Sequence, residues 1–233
     1  MPVVTDDHRK AVMRDYWGSE IGHWARTSYE RSRVNGLVAR FMAHLRSSVE
    51  ARAITAGKIL APHVKGKTLL DLGCGHGGFA LSMLEAGATR VIGWDIAPQA
   101  IDLANEQVKK LGVGDRAEFK VALVEDANFP QTDFVTGLGL LDWMPPHEIK
   151  TMLGRLSGRR AMFSYSEQDG SFDEIVHRVW LCKRLEWFGG GVRAYHHPRE
   201  LILRWFKEAG FGRMTIVAKP EARFGRLIHN LDA

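Results

Sequence analysis

Cysteine is scarce in this chain. Cys74 and Cys182 are its only two among 233 residues, far apart and in no metal-ligand spacing. That argues against a secreted disulfide scaffold and against a zinc module. No uninterrupted apolar run of about 18 residues occurs, so no membrane span is expected. The first ten residues, Met1 to Lys10, hold acids and bases without an apolar core, so no signal peptide is expected. Internal repeats and low-complexity tracts are also missing. What remains is a composition of 45% apolar and 25% charged residues. A chain of this size can bury a core without staples, as one domain or one domain with a small appendage. A cytoplasmic enzyme or binding domain is expected.

Charge is uneven. The net charge is +5, yet Arg31, Arg33, Arg40, Arg46, Arg52, Lys58, Lys65 and Lys67 face a single acid, Glu50, within one segment. That segment alone carries +7, so the rest of the chain is slightly acidic. Such an excess suits an anionic substrate, an acidic membrane surface or RNA, and equally a helix with a solvated basic face.

Apolar residues Val34, Leu37, Val38, Phe41, Leu45 and Val49 recur at three- and four-residue steps, which predicts a helix from Val34 to about Leu60. An aromatic-rich stretch, Tyr16, Trp17, Trp24 and Tyr29, precedes it. Beyond it, short apolar runs at Thr68–Asp71, Arg90–Asp95, Ala117–Val124, Phe134–Leu141 and Arg160–Ser166 read as strands. They alternate with helix patterns at Phe79–Leu84, Pro98–Leu111, Pro146–Leu156 and Pro198–Ala209. Such alternation predicts parallel βαβ units in an α/β sheet. The stretch after Glu167, with Trp180, Trp187, Phe188, Gly189 to Gly191 and Tyr195-His-His197, reads as extended. Met214–Ala218 and Arg226–Leu231 are expected to close the sheet as an antiparallel pair.

Gly73, Gly75 and Gly78 satisfy G-x-G-x-x-G between a strand and a helix, where bare backbone can approach a ligand. Asp95 ends the next strand, placed to accept hydrogen bonds from ribose hydroxyls. A dinucleotide and S-adenosylmethionine fit those residues equally well. Asp71 separates them: a negative charge at the strand's carboxyl end repels a pyrophosphate and favours a sulfonium with an ammonium.

The run Leu70-Asp-Leu-Gly-Cys-Gly-His-Gly77 followed by Val91-Ile-Gly-Trp-Asp95 resembles class I S-adenosylmethionine-dependent methyltransferases. The resemblance covers about Leu60 to Leu231. It implies a seven-stranded, mostly parallel Rossmann-like sheet with helices on both faces. It also implies S-adenosylmethionine as cofactor and S-adenosylhomocysteine as product. Asp71 would face the methionine ammonium through water, Gly73, Cys74, Gly75 and Gly77 would line the methionyl group, and Asp95 would hold the ribose. Ile96 would pack on the adenine face, with Glu125 near the adenine amine and Leu138 also against the cofactor. Trp24 to Tyr29, and Arg193-Ala-Tyr-His-His197 leading into the last helix, are similar to magnesium-protoporphyrin O-methyltransferases. That similarity implies an N-terminal helical cap over residues 1–60, and a lid inserted at about 167–197 in a domain spanning 61–233.

Gly137-Leu-Gly-Leu-Leu-Asp-Trp-Met-Pro-Pro146 follows the fourth strand and lacks the N/D-P-P-Y/F order of nucleic-acid amine methylases. Asp142 is the candidate base or orienting group, and His197, or His196 beside it, the candidate base or helix cap. Trp24, Tyr29, Trp143 and Tyr195 are expected to wall the substrate pocket, with Trp180 and Trp187. His196-His197 has no third ligand at sensible spacing, so no metal is expected. The leading expectation is O-methylation of a hydroxyl or carboxylate on a small, anionic or aromatic molecule. RNA methylation, from the basic segment, and a non-catalytic partner protein that binds the cofactor stay open beside it. Oligomeric state is left open.

Overall fold

The computed structural model describes the backbone of residues 6–29, 51–124, 128–187, 193–219 and 225–231, and their side chains except at 6, 22–29 and 182–187. Seven strands form one sheet: β1 (Thr68–Leu72), β2 (Arg90–Asp95), β3 (Ala117–Val121), β4 (Phe134–Gly137), β5 (Arg160–Ser166), β6 (Thr215–Ala218) and β7 (Gly225–His229). Their order is β3-β2-β1-β4-β5-β7-β6. The first five are parallel; β7 runs antiparallel to both β5 and β6. The expected closing pair is present, with β7 inserted between β5 and β6.

Helices α1 (Asp6–Tyr29) and α2 (residues 51–60) precede the sheet. The rest of the helix expected from Val34 lies outside the described residues. Helices α3 (Gly78–Glu85), α4 (Pro98–Leu111), α5 (Pro146–Arg155), α6 (Phe172–Trp187) and α7 (Arg199–Glu208) follow. No helix of the described residues is long and apolar enough to cross a membrane.

Side chains alternate across a strand, and the core divides accordingly. Leu69 and Val91 pack with Leu60, Leu81, Ile101 and Val108 on one face. Leu70, Leu72, Ile92 and Trp94 pack with Ile149, Met152, Ile202 and Phe206 on the other. The strand order reverses at β1, between β2 and β4, and a crevice opens there outside the carboxyl ends of the strands.

Of the stretch expected to be extended after Glu167, Phe172–Trp187 is helical instead, while the described residues 193–197 are not helical. Ser171 starts α6, its Oγ accepting a hydrogen bond from the Glu174 amide at 3.2 Å, and Asp173 and Glu174 occupy the first turn. Ser171-x-x-Glu174 is the spacing of a capping box, a local signal for a helix start. Ser171→Ala is expected to cost about 1 kcal/mol, readable as a lower midpoint in urea unfolding with an unchanged slope.

Candidate active site

β1 runs straight into the glycine loop. Gly73 and Cys74 donate their amides to the Trp94 carbonyl at 2.8 and 3.1 Å, which ties the loop to the end of β2. Gly73, Gly75 and Gly77 hold φ of +67°, +54° and +79°, the left-handed region that a side chain disfavours. Space is short as well. A Cβ on Gly77 would lie 2.9 Å from Phe119 Cζ, and one on Gly75 would lie 3.3 Å from Ile21 Cδ1. The first contact keeps α3 close to the sheet; the second shows α1 lying over the loop.

Two acids flank this bend. Asp71 pairs in register with Thr136 across β1 and β4, and Thr136 Oγ1 donates to Asp71 Oδ1 at 2.7 Å. Burial pushes the Asp71 carboxyl up to about 7; the Thr136 bond opposes that rise and the nearby Asp95 charge adds to it. Asp95 accepts the Gly75 amide on Oδ2 and the Ala97 amide on Oδ1, both at 2.9 Å. Burial raises its carboxyl too, against the backbone bonds from Ala97, Gly75 and Ile96. A carboxylate has about four lone-pair sites, so these backbone bonds still leave acceptor capacity for a ligand. Burial holds the Cys74 thiol protonated, with Asp71 and Asp95 reinforcing it, and keeps His76 neutral.

Asp71, Gly73, Cys74, Gly75, Asp95, Ile96 and Leu138 all line one cavity of about 420 Å³. So do Asp142, Trp143 and Tyr195. Gly77 is not among its lining residues; it sits one step deeper, under Phe119. Glu125 lies outside the described residues, as do the side chains of Trp24, Tyr29 and Trp187. The neighbouring Leu123 and Val124 do line the cavity.

Asp142, at the turn after β4, accepts the Ser166 amide on Oδ1 at 2.6 Å and Arg52 Nη1 on Oδ2 at 3.3 Å. Its carbonyl accepts the Tyr195 amide at 2.7 Å. His197 stands elsewhere. It is buried outside the cavity lining, its Nε2 lies 3.1 Å from the Leu141 carbonyl, and its ring stacks on Tyr195. It therefore positions Tyr195 and the 141–143 turn and does not face the cavity. Neither His196 nor His197 caps α7, whose cap residue is Pro198 with no side-chain bond. His196 does line the cavity. Among the described residues no group of three or more His, Cys, Asp or Glu could hold a metal.

Residues 69–158 match the methyltransferase domain family. Over that stretch the chain carries a methyltransferase domain. A 72-residue stretch is 46% identical to ribosomal protein L11 methyltransferase of Tolumonas auensis, covering 31% of this chain and 24% of that protein. The chain thus spans about a quarter of the length of such curated relatives. Magnesium protoporphyrin IX methyltransferase from Synechocystis PCC 6803, solved with S-adenosylmethionine bound, superposes with a TM-score of 0.68 at 21% identity, covering 98% of each chain. An O-methyltransferase family 2 protein from Planctomyces limnophilus, in complex with apigenin, gives 0.56 at 18% identity, covering 78% of this chain and 61% of that one. These likenesses are in fold.

The matched stretch of the methyltransferase domain starts in β1 and ends just after α5, so it holds the glycine-loop side of the cavity. The opposite side comes from outside it. Met13, Tyr16, Trp17, Glu20 and Ile21 of α1 line the cavity at helical spacing, a stripe legible in the sequence but not assigned to the site there. Tyr16 and Trp17 meet Trp143 with ring centroids 5.6 and 5.0 Å apart. His177, Trp180 and Leu181 of α6 also face inward at i, i+3 and i+4. Arg9 forms an ion pair with the buried Glu148, and Arg52, the only described member of the 31–52 part of the basic segment, is turned inward onto Asp142.

Proposed function

We propose that this protein is an O-methyltransferase that moves the methyl group of S-adenosylmethionine to a hydroxyl or carboxylate of a small aromatic molecule in the cytoplasm. The observation that carries the reading is the continuity of one cavity, from the Asp71–Asp95 cradle to the aromatic chamber of Tyr16, Trp17, Trp143, Trp180 and Tyr195. The cradle suits the cofactor: one acid for its ammonium and one for its ribose hydroxyls, backbone approach at Gly73 and Gly75, and apolar Ile96 and Leu123 for a flat base. In this reading Asp71 faces the ammonium, Asp95 the ribose hydroxyls and Ile96 the adenine. Gly77 acts through the packing of the loop, and Glu125 is the residue assigned to the adenine amine. Trp24 and Tyr29 are the residues assigned to the acceptor.

S-adenosylmethionine supplies an electrophilic methyl carbon. The chain's part is to hold the acceptor in line with it, where orientation contributes roughly 7–11 kcal/mol of the barrier. Residues 1–60 act as a cap and about 167–197 as a lid, which keep water from the chamber. Apigenin bound to the Planctomyces protein supports an aromatic acceptor on this fold.

The reading is tested in two steps. Calorimetry should detect S-adenosylhomocysteine binding to the wild type; no binding ends the proposal. Incubation with S-adenosylmethionine and a panel of phenols and aromatic acids should then yield S-adenosylhomocysteine and a methylated oxygen. Binding without turnover across the panel would favour the non-catalytic role instead.

A further inference from the structure

We propose that Arg52 holds a carboxylate of the acceptor, so that the molecule methylated is an aromatic acid. This deepens the methyl-transfer reading above and rests on it. Arg52 comes from α2, outside the matched methyltransferase stretch, and it lines the cavity although only 7% of it is exposed. A guanidinium buried to that degree normally has its donors taken and its charge balanced.

Here neither is complete. A guanidinium carries five N–H groups. Among the described residues one partner takes a single one of them: Nη1 donates to Asp142 Oδ2 at 3.3 Å, long for a charge-assisted bond. Nε is sealed in the wall without a partner, out of a ligand's reach. Nη2 makes no bond to the protein either, yet it is not sealed, so it is the part of the group that the cavity can reach. His177, which also feels the Arg52 charge, meets His196 at 3.1 Å, and neither ring brings a negative charge to the guanidinium.

Asp142 cannot close the gap. Its Oδ1 is bound by the Ser166 amide at 2.6 Å, and its carbonyl by the Tyr195 amide at 2.7 Å. Those bonds fix the carboxylate from β5 and from the return segment at 193–197. It therefore cannot turn both oxygens to Arg52 in the two-bond fork that arginine and carboxylate favour. Asp142 is a positioning residue: it holds Arg52 by one terminal nitrogen and leaves the other to a ligand. Trp143 follows Asp142 directly, and its ring meets Tyr16 and Trp17, so the open cationic edge stands beside the aromatic chamber. A ligand that answers both features has a flat apolar body and a planar, singly charged pair of oxygens. A neutral amide offers the same shape and an acceptor without the charge, and its bond to a guanidinium is the weaker one.

The test measures binding to the protein held as its S-adenosylhomocysteine complex. The probes are 1-hydroxy-2-naphthoate and 1-hydroxy-2-naphthamide, alike in shape and different in charge. Titration calorimetry on wild type should show the acid binding about 10- to 150-fold tighter than the amide. Arg52→Gln combined with Asp142→Asn removes both charges, so neither is left buried alone, and the ratio should fall to about one. Arg52→Lys keeps Asp142 paired and guards against loss of the fold. Its single nitrogen is drawn to Asp142, so it should lose most of the preference. Amide affinity should change little across the three proteins, which collapse of the chamber would not allow. Wild type that binds S-adenosylhomocysteine but neither probe, a wild-type ratio of about one, a full acid preference kept in either variant, or equal loss of acid and amide binding would each overturn the proposal. Wild type that fails to bind S-adenosylhomocysteine would instead remove the reading beneath it.

Discussion

Replacing Asp95 with alanine is expected to weaken S-adenosylmethionine binding by about 1.5–3 kcal/mol, roughly a ten- to 150-fold rise in Kd. Two losses combine. The carboxylate is a charged acceptor at the end of β2, and hydrogen bonds to a charge exceed neutral ones in strength. It also holds the loop, because its two oxygens take the Gly75 and Ala97 amides at 2.9 Å each. Alanine abolishes both functions, and the bend at Gly75 loses its tether. Asp95→Asn keeps one carbonyl acceptor without the charge, so its affinity should fall between the two. Calorimetric titration reads the series directly; equal affinity in all three proteins would mean that the ribose is held elsewhere.

Affinity for S-adenosylmethionine should also fall about 10- to 30-fold as the pH drops from 7.5 to 5.5. Asp71 is the cause. Its carboxyl is raised to about 7 by burial, so acidification protonates it over this range and removes the charge proposed to face the ligand's cation. Stability of the free protein responds with the opposite sign. Below about 7 the folded state keeps a proton on Asp71, whereas the unfolded chain holds one only below its ordinary value of 3.8. The folded state then binds more protons, so the stabilising contribution of this group is fully present below 3.8 and is lost as the pH rises through about 7. Asp71→Asn should abolish both trends: binding would be uniformly weak and nearly independent of pH, and the melting temperature of wild type relative to the variant should rise on acidification. A wild-type affinity unchanged between pH 7.5 and 5.5 would place the ligand's charge away from β1.

Local rules carried much of this fold. Arg90–Asp95, Pro98–Leu111 and Arg160–Ser166 fall on the residues expected from apolar runs and helix signals, because strand and helix periods are written into neighbouring side chains. The cradle was legible for the same reason: glycines at strained φ and an acid at each strand end lie close in sequence. α6 was misjudged through its aromatics and the glycines beyond it, although Ser171 and Glu174 carried a start signal. The far wall of the cavity was only partly legible. Asp142, Trp143 and Tyr195 were singled out, but nothing in the order of residues brings Arg52 to Asp142 or His177 to His196.

The amino-acid order by itself therefore determined the alternating α/β architecture, the glycine bend and the acids beside it, since each depends on contacts over a few residues or on one strand–turn–helix unit. Tertiary structure alone decided which partners those groups meet. Thr136 reaches Asp71 through the β1–β4 register, His197 turns toward Leu141 while His196 turns to the cavity, and α1 and α6 converge over the aromatic chamber. Those pairings join elements tens of residues apart, and their geometry is set by how two layers of helices pack on one twisted sheet.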